Sequence, residues 1–297
     1  MDLETFLVAT FVWIDDALVA WQAETRPLRT RGPAPVLADS EVLTMELVGE
    51  FLGIDCDSAI LSYFQRHHAA LFPRITRIHR TTFTRQASNL WAATDALWHR
   101  AVAEIPCDPD LAIIDSIPVP VCRLAHAKRC RRLRAEAAFG RDACGRCFFY
   151  GLRVHLRVQW PGVVTAVSAA PANRSALEVA PELVDGLTGV VLADRNYWNP
   201  RLRAELADEG IALLAPYRHR SEDPTPQHSK LLNRVRRQVE TIASQLVERY
   251  RLKRVWARDA WHLTNRILRK VLSHTLAIRL NVGQGADEPR QLARVLA

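Results

Sequence analysis

Three carboxylates in this 297-residue chain stand where such side chains can do chemistry. Asp115 follows the apolar stretch 111–114, Asp194 follows the apolar stretch 190–193, and Glu240 lies in the helix-like run Arg236-Arg237-Gln238-Val239-Glu240-Thr241. An acid directly beyond a buried strand sits at a sheet edge, where neighbouring strand ends bring such groups together. Three carboxylates meeting there repel, shift their pKa values and call for a compensating cation. Hard oxygen donors with no dedicated His or Cys favour Mg²⁺ or Mn²⁺. Two such ions about 4 Å apart activate a water and stabilise the leaving oxygen of an in-line phosphoryl transfer. Taken singly, each acid, one of 32 Asp and Glu, reads as a strand terminator or a helix-surface charge. Only the trio in its surroundings suggests more.

The basic residues form a second set. Lys128-Arg129-Cys130-Arg131-Arg132-Leu133-Arg134 falls between the first strand and a later hairpin. The C-terminal region adds Arg234, Arg236, Arg237, Arg249, Arg251, Lys253, Arg254, Arg258, Arg266, Arg269 and Lys270. A solvated, arginine-biased surface accounts for about half of these; the rest suit phosphate contacts along a duplex. Sequence readout is expected instead of the N-terminal helices, where Arg66, His67, Arg77, Arg80 and Arg85 cluster. The helix pair over 39–71 is compatible with a helix-turn-helix without being diagnostic of one. Sulfur is the third set. Cys144 and Cys147 make a C-x-x-C, and Cys122, His126 and Cys130 lie upstream, so a small zinc site pinning the basic insertion competes with free thiols in a loop. His155 reads as a residue of an exposed strand face, and His67 and His68 as surface or packing histidines.

The elements that must position these groups follow from periodicity. Leu3, Leu7, Phe11, Ile14, Leu18 and Trp21 recur at helical spacing, so an amphipathic helix opens the chain. Residues 25–37, with Pro27, Gly32, Pro33 and Pro35, read as a linker or arm. A helix capped by Asp39 or Ser40 runs to about Leu52, one capped by Asp57 or Ser58 covers 59–71, and a long one covers 82–105. After Pro106 the pattern changes. A short strand ends in Asp115, and 148–160 alternates Leu152, Val154, Leu156 and Val158 with Arg153, His155, Arg157 and Gln159 before Pro161-Gly162 turns into 163–167. Helices at 176–187 and 201–209 and strands at 190–193 and 211–215 follow, then a polar segment at 219–229 and an arginine-rich helical region from Leu231. The expected architecture is α/β: an all-helical domain over 1–105, a mixed sheet covered by helices over 106–283 with a basic, Cys-containing insertion at about 122–147, and a tail over 284–297.

Composition bounds the rest. The chain carries 40 Lys and Arg against 32 Asp and Glu, a formal charge of +8, and is 48% hydrophobic, which is globular rather than disordered. A polyanionic partner fits that charge without being demanded by it. No apolar run is long enough to span a bilayer, acids near the N-terminus do not suit a signal peptide, and six cysteines in this length are not a disulfide framework. A cytoplasmic protein is expected.

Several words of the sequence together resemble the DDE transposases of bacterial insertion sequences. They are Ile113-Ile114-Asp115-Ser116-Ile117-Pro118-Val119-Pro120-Val121-Cys122, Tyr150-Gly151-Leu152-Arg153-Val154-His155-Leu156, Ala193-Asp194-Arg195-Asn196-Tyr197 and Arg236-Arg237-Gln238-Val239-Glu240-Thr241. Val48-Gly49-Glu50-Phe51-Leu52-Gly53, Tyr63-Phe64-Gln65-Arg66-His67-His68, Arg80-Thr81-Thr82-Phe83 and Arg85-Gln86-Ala87 are similar to the insertion sequence 982 family. The likeness runs in order from about residue 38 to 282. It implies a ribonuclease H-like catalytic core and metal-dependent DNA strand cleavage and strand transfer at terminal inverted repeats. Asp115, Asp194 and Glu240 would then be the catalytic acids and the ligands of Mg²⁺ or Mn²⁺, two ions in all. It implies a nucleoid-associated location and a homodimer or larger synaptic assembly, since two DNA ends are handled together; from their charge, Lys128, Arg129, Arg131, Arg132, Arg195, Arg236 and Arg237 are expected to contact that DNA. The alternative is a catalytically decayed or repurposed DNA-binding protein of the same fold. One departure bears on this choice. The family's Asp-Lys-Gly-Tyr is Asp194-Arg195-Asn196-Tyr197 here, where Arg195 keeps a cation and Asn196 replaces a glycine with a residue that tolerates left-handed geometry. Arg236 fits the Arg that accompanies the third acid in a related group, whereas Asn233 and Val247 do not supply its Tyr and Lys.

Overall fold

The computed structural model describes residues 1–25, 28–29, 32–142, 145–217, 226–254 and 257–296, with backbone alone for 226–234 and 236. In chain order come helices α1 (Leu3–Glu24), α2 (Asp39–Phe51), α3 (Asp57–His67), α4 (Arg80–Asn89) and α5 (Trp91–Ala103). Strands β1 (Leu111–Cys122), β2 (Ala138–Asp142), β3 (Cys147–Gln159) and β4 (Val163–Pro171) follow. Helix α6 (Ala176–Val184), β5 (Gly189–Leu192), α7 (Pro200–Asp208), β6 (Ile211–Leu214), α8 (Pro226–Glu248) and α9 (Ala260–Gly283) complete the order. The chain divides into two compact units, one of residues 1–105, 246–252 and 261–297, the other of residues 106–245 and 253–260.

In the helical unit, Asp2 caps α1 by accepting from the Thr5 amide at 2.7 Å, and Phe6, Leu7, Ile14 and Leu18 bury one face. Helix α2 is buried nearly all round, as a central core helix must be. Neither Asp39 nor Ser40 caps it. Glu41 instead accepts from the Ala38 amide at 2.6 Å, while Asp39 pairs with Arg29. The expected helix over 82–105 is two helices. At Leu90 the backbone leaves the helix (φ −87°, ψ 8°), after Ser88 and Asn89, both weak helix formers, and Thr94 restarts the ladder on the Leu90 carbonyl at 2.8 Å. Helix α3 stops at His67, short of Leu71.

The boundary expected at residue 283 is not where the chain divides, because α9 buries its charges against α2 and α3. Arg269 (1% exposed) donates to Glu50 at 2.7 Å, to Asp57 at 3.1 Å and to Glu46; Lys270 (2%) donates to Glu50; and Arg266 reaches Asp57 at 3.4 Å. Buried ions persist only when paired in this way. Arg249 stacks on Phe51 at 4.7 Å and Arg251 donates to the Gly53 carbonyl at 2.8 Å. So Arg249, Arg251, Arg266, Arg269 and Lys270, expected on a basic surface, are structural.

The second unit is a mixed α/β sheet flanked by helices, in the order β2–β3–β1–β5–β6. Antiparallel β3 pairs β1 on one side; on the other, its first half pairs β2 and its second half β4. Strands β1, β5 and β6 are parallel. Strand β1 does not end at Asp115 but continues to Cys122, held by β3 after the β5 ladder stops at Ile113. Pro118 and Pro120 fall in this single-sided stretch, where a missing N–H costs no second ladder. One face of the sheet packs Ala112, Ile114, Val191 and Ala193 with Val179, Leu183, Leu202 and Leu206 of α6 and α7. Asn199 caps α7, accepting from the Arg201 amide at 2.8 Å and the Leu202 amide at 3.0 Å, with Pro200 at the first helical position.

Candidate active site

The β1–β5 register pairs Leu111 with Val190, Ala112 with Val191 and Ile113 with Leu192. Two further steps along both strands reach Asp115, within β1 just past the point where its ladder with β5 stops, and Asp194, just past the carboxyl end of β5. Since side chains alternate along a strand, both acids belong to the face opposite the α6–α7 cluster that takes Ala112, Ile114, Val191 and Ala193. Crevices beyond the carboxyl ends of parallel strands are where open α/β sheets bind ligands.

Local geometry fixes each acid. Asp115, half-buried, accepts from the Ser116 amide at 2.8 Å. Asp194, also half-buried, caps the short 3-10 turn Arg195–Tyr197: Oδ1 accepts from the Asn196 amide and Oδ2 from the Asn196 side-chain amide, both at 2.8 Å. Asn196 is not in the left-handed region, so it replaces the family's glycine as a hydrogen-bonding partner of the acid rather than as a tolerant turn residue. Glu240 is exposed on α8 beside the buried Val239. Among the described residues no three His, Cys, Asp or Glu side chains are grouped to hold a metal ion. The sheet thus places Asp115 and Asp194 each two residues past the last β1–β5 pair, while Glu240 does not complete a group of three with them.

Sequence reasoning misplaced His155. It is fully buried, not exposed: β3 lies between β1 and β4, and the imidazole Nδ1 meets the Tyr197 hydroxyl at 3.1 Å. Burial first, then the nearby Arg153, pushes its pKa down to about 4, so it is neutral at physiological pH. His155 pairs in register with Ser116 and touches the tyrosine of the Asp194 turn, which ties the two acid-bearing segments together. The signal available in the sequence was Tyr197, three residues after Asp194. His68 is buried as well, His67 exposed.

Lys128, Arg129, Arg131, Arg132, Arg195 and Arg237 are exposed; the Arg236 side chain lies outside the described residues. Arg66, His67, Arg77, Arg80 and Arg85 are exposed on the helical unit. Of the sulfur set, Cys144 lies outside the described residues and Cys147 is exposed at the start of β3. Cys122 and Cys130 are half-buried neighbours, the Cys122 thiol being pushed up by burial and then by Cys130. No helix among the described residues is long and apolar enough to cross a membrane.

No curated protein and no solved structure matches the chain. Residues 107–259, just over half of its length, match the family described as transposase DDE domain, and the match spans Asp115, Asp194 and Glu240. By that match the chain belongs to the transposase DDE domain family, and it is a transposase.

Proposed function

We propose that the chain is an active insertion-sequence transposase, nearest to the insertion sequence 982 type, that binds terminal inverted repeats and carries out metal-dependent strand cleavage and strand transfer through a ribonuclease H-like core. The position of Asp115 and Asp194, each two residues past the last β1–β5 pair, carries this reading. The order β4–β3–β1–β5–β6, an antiparallel hairpin followed by parallel strands, supports the ribonuclease H-like core.

The donor set suits a hard divalent cation. Asp194 uses one hydrogen bond on each carboxylate oxygen, and a carboxylate has about four acceptor sites, so both oxygens keep capacity for a ligand bond. Asp115 and Asp194 would hold Mg²⁺ or Mn²⁺, two ions in all, with Glu240 assigned as the third ligand from the resemblance. When bound, the metal supplies charge for the developing oxyanion and lowers the pKa of an attacking water or hydroxyl. Asn196 holds the Asp194 carboxylate in one orientation, and the buried His155–Tyr197 contact anchors the turn that carries it. Lys128, Arg129, Arg131, Arg132, Arg195 and Arg237 contact backbone phosphates, and Arg236, whose side chain lies outside the described residues, is assigned to the same task from its charge. Two element ends are held by two copies or more, in the bacterial cytoplasm at the nucleoid.

The test is Mg²⁺-dependent nicking and joining of an oligonucleotide that carries the element's end. Wild type nicks and yields joined products, and Asp115→Ala, Asp194→Ala and Glu240→Ala leave no cleavage above background. Binding without cleavage by wild type identifies a DNA-binding protein that has lost catalysis. Cleavage without joining identifies a nuclease.

A further inference from the structure

A cavity of about 540 Å³ in the sheet unit is lined by Arg141, Arg153, Arg174, Ser116, Ser175 and Asn196, among others, and by no carboxylate among the described residues. Its size is that of a small-ligand pocket, and its polar groups are donors that suit an anion. The guanidinium of Arg153 donates to the Arg141 carbonyl and approaches the Ser116 hydroxyl at 3.5 Å; both partners are neutral, so its charge is not compensated there. Arg141 is exposed and has no carboxylate partner among the described residues. Arg174 is oriented by Glu182 at 3.1 Å and Glu178 at 3.6 Å, acids of α6 that do not line the cavity. Ser175 and Ala176, which open α6, add the positive end of that helix.

Two residues of the cavity wall belong to the acid-bearing segments. Ser116 follows Asp115 directly, and Asn196 lines the cavity while donating to both oxygens of Asp194. Ser116 takes the opposite face from Asp115 by strand alternation, so the cavity opens on the other face of the same sheet edge. Asn196 thus lies between the Asp194 carboxylate and the cavity.

We propose that the cavity formed by Arg141, Arg153, Arg174, Ser116 and Asn196 binds a backbone phosphate of the DNA strand adjoining the scissile one, and so holds that strand against the acids. The proposal rests on the reading that the acids act on DNA. It adds a phosphate subsite distinct from the exposed basic segment 128–132, made of arginines that the sequence gives no reason to group.

The test is calorimetric titration of the full-length, metal-free chain with a tetradeoxynucleotide, beside the same sequence with a neutral methylphosphonate backbone. Wild type binds the charged strand and not the neutral one. Arg141→Gln and Arg153→Gln each weaken binding about tenfold, the size of one charge-assisted hydrogen bond. Arg201→Gln, which alters an exposed α7 arginine paired with Glu205 at 2.8 Å, binds as wild type. The exposed Arg141 side chain holds no other element in place among the described residues, so Arg141→Gln with an unchanged melting temperature is the decisive variant. Affinity of Arg141→Gln and Arg153→Gln within twofold of wild type overturns the proposal, as does equal binding of the neutral strand. A chain that never nicks DNA but shows arginine-dependent binding loses the catalytic reading and keeps the subsite. One that nicks normally, in wild type and Arg141→Gln alike, with equal binding, keeps the catalytic reading and loses the subsite.

Discussion

His155 has basic or polar neighbours at alternate positions, and in sequence it reads as one of a solvent-facing row. Its burial makes it a pH-sensitive group instead. In the unfolded chain its pKa is about 6.5, while in the fold it is held down to about 4. The unfolded chain therefore binds the proton first, so the neutral imidazole's contribution is complete above pH 6.5 and is lost as pH falls towards 4. That difference corresponds to about 3 kcal/mol. Urea denaturation at pH 7 and pH 4.5 is expected to show a smaller loss of stability in His155→Gln than in wild type; equal losses would remove His155 from the account. Arg269 is the other residue whose type misleads. It is held charged, well above its ordinary range, because Glu46, Glu50 and Asp57 outweigh the burial that opposes it. Removing it as Arg269→Met leaves the buried Glu46 without its cation and Glu50 and Asp57 with only Lys270 and Arg266, and a loss of about 3–5 kcal/mol in unfolding free energy is expected. Within this group, burial raises Glu46 to about 7, against the pull of Arg269.

At the scale of elements, helix α1, the β3–β4 hairpin with its Pro161-Gly162 turn, α7 and β6 were legible because their signals are local: helical spacing, alternation and turn residues. The length of β1 was not. Its apolar run ends at Ile114, and what extends the strand to Cys122 is pairing with β3, which no local pattern encodes. The same pairing explains Gly151. A Cβ at this position would lie 2.1 Å from the Val119 carbonyl oxygen and 3.0 Å from Pro120 Cα, so only glycine lets β3 approach β1 where it bulges. Gly151→Ala is expected to destabilise the sheet unit by roughly 3 kcal/mol or more, since the clash is with backbone that cannot swing aside. A chemical denaturation curve that overlays wild type would contradict this close approach. The break at Leu90 was missed for the complementary reason: the apolar period continues through it, and only weak helix formers mark the place.

Across the whole molecule, the formal charge of +8 becomes informative once the buried cations of α9 are set apart from the exposed ones. Lys128, Arg129, Arg131 and Arg132 all reach solvent. Changing the four together to Ala is expected to flatten the salt dependence of end-DNA binding, by up to about 0.9 in slope for each phosphate no longer neutralised. An unchanged slope would mean that the segment does not touch the duplex. The two compact units are not contiguous in sequence, because α9 returns to α2 and α3 over separations such as the 219 residues between Glu50 and Arg269. The sequence by itself determined which acids end apolar runs, which stretches are helical or alternating, and the likeness to a transposase, since these depend on neighbours a few residues away. The tertiary structure decided that Asp115 and Asp194 each lie two residues past the last β1–β5 pair, that His155 lies against Tyr197, that Arg269 and Lys270 are interior, and that three scattered arginines line one cavity. Each of these depends on strand register or on helix faces meeting, and such pairings between distant segments leave no local periodicity to read.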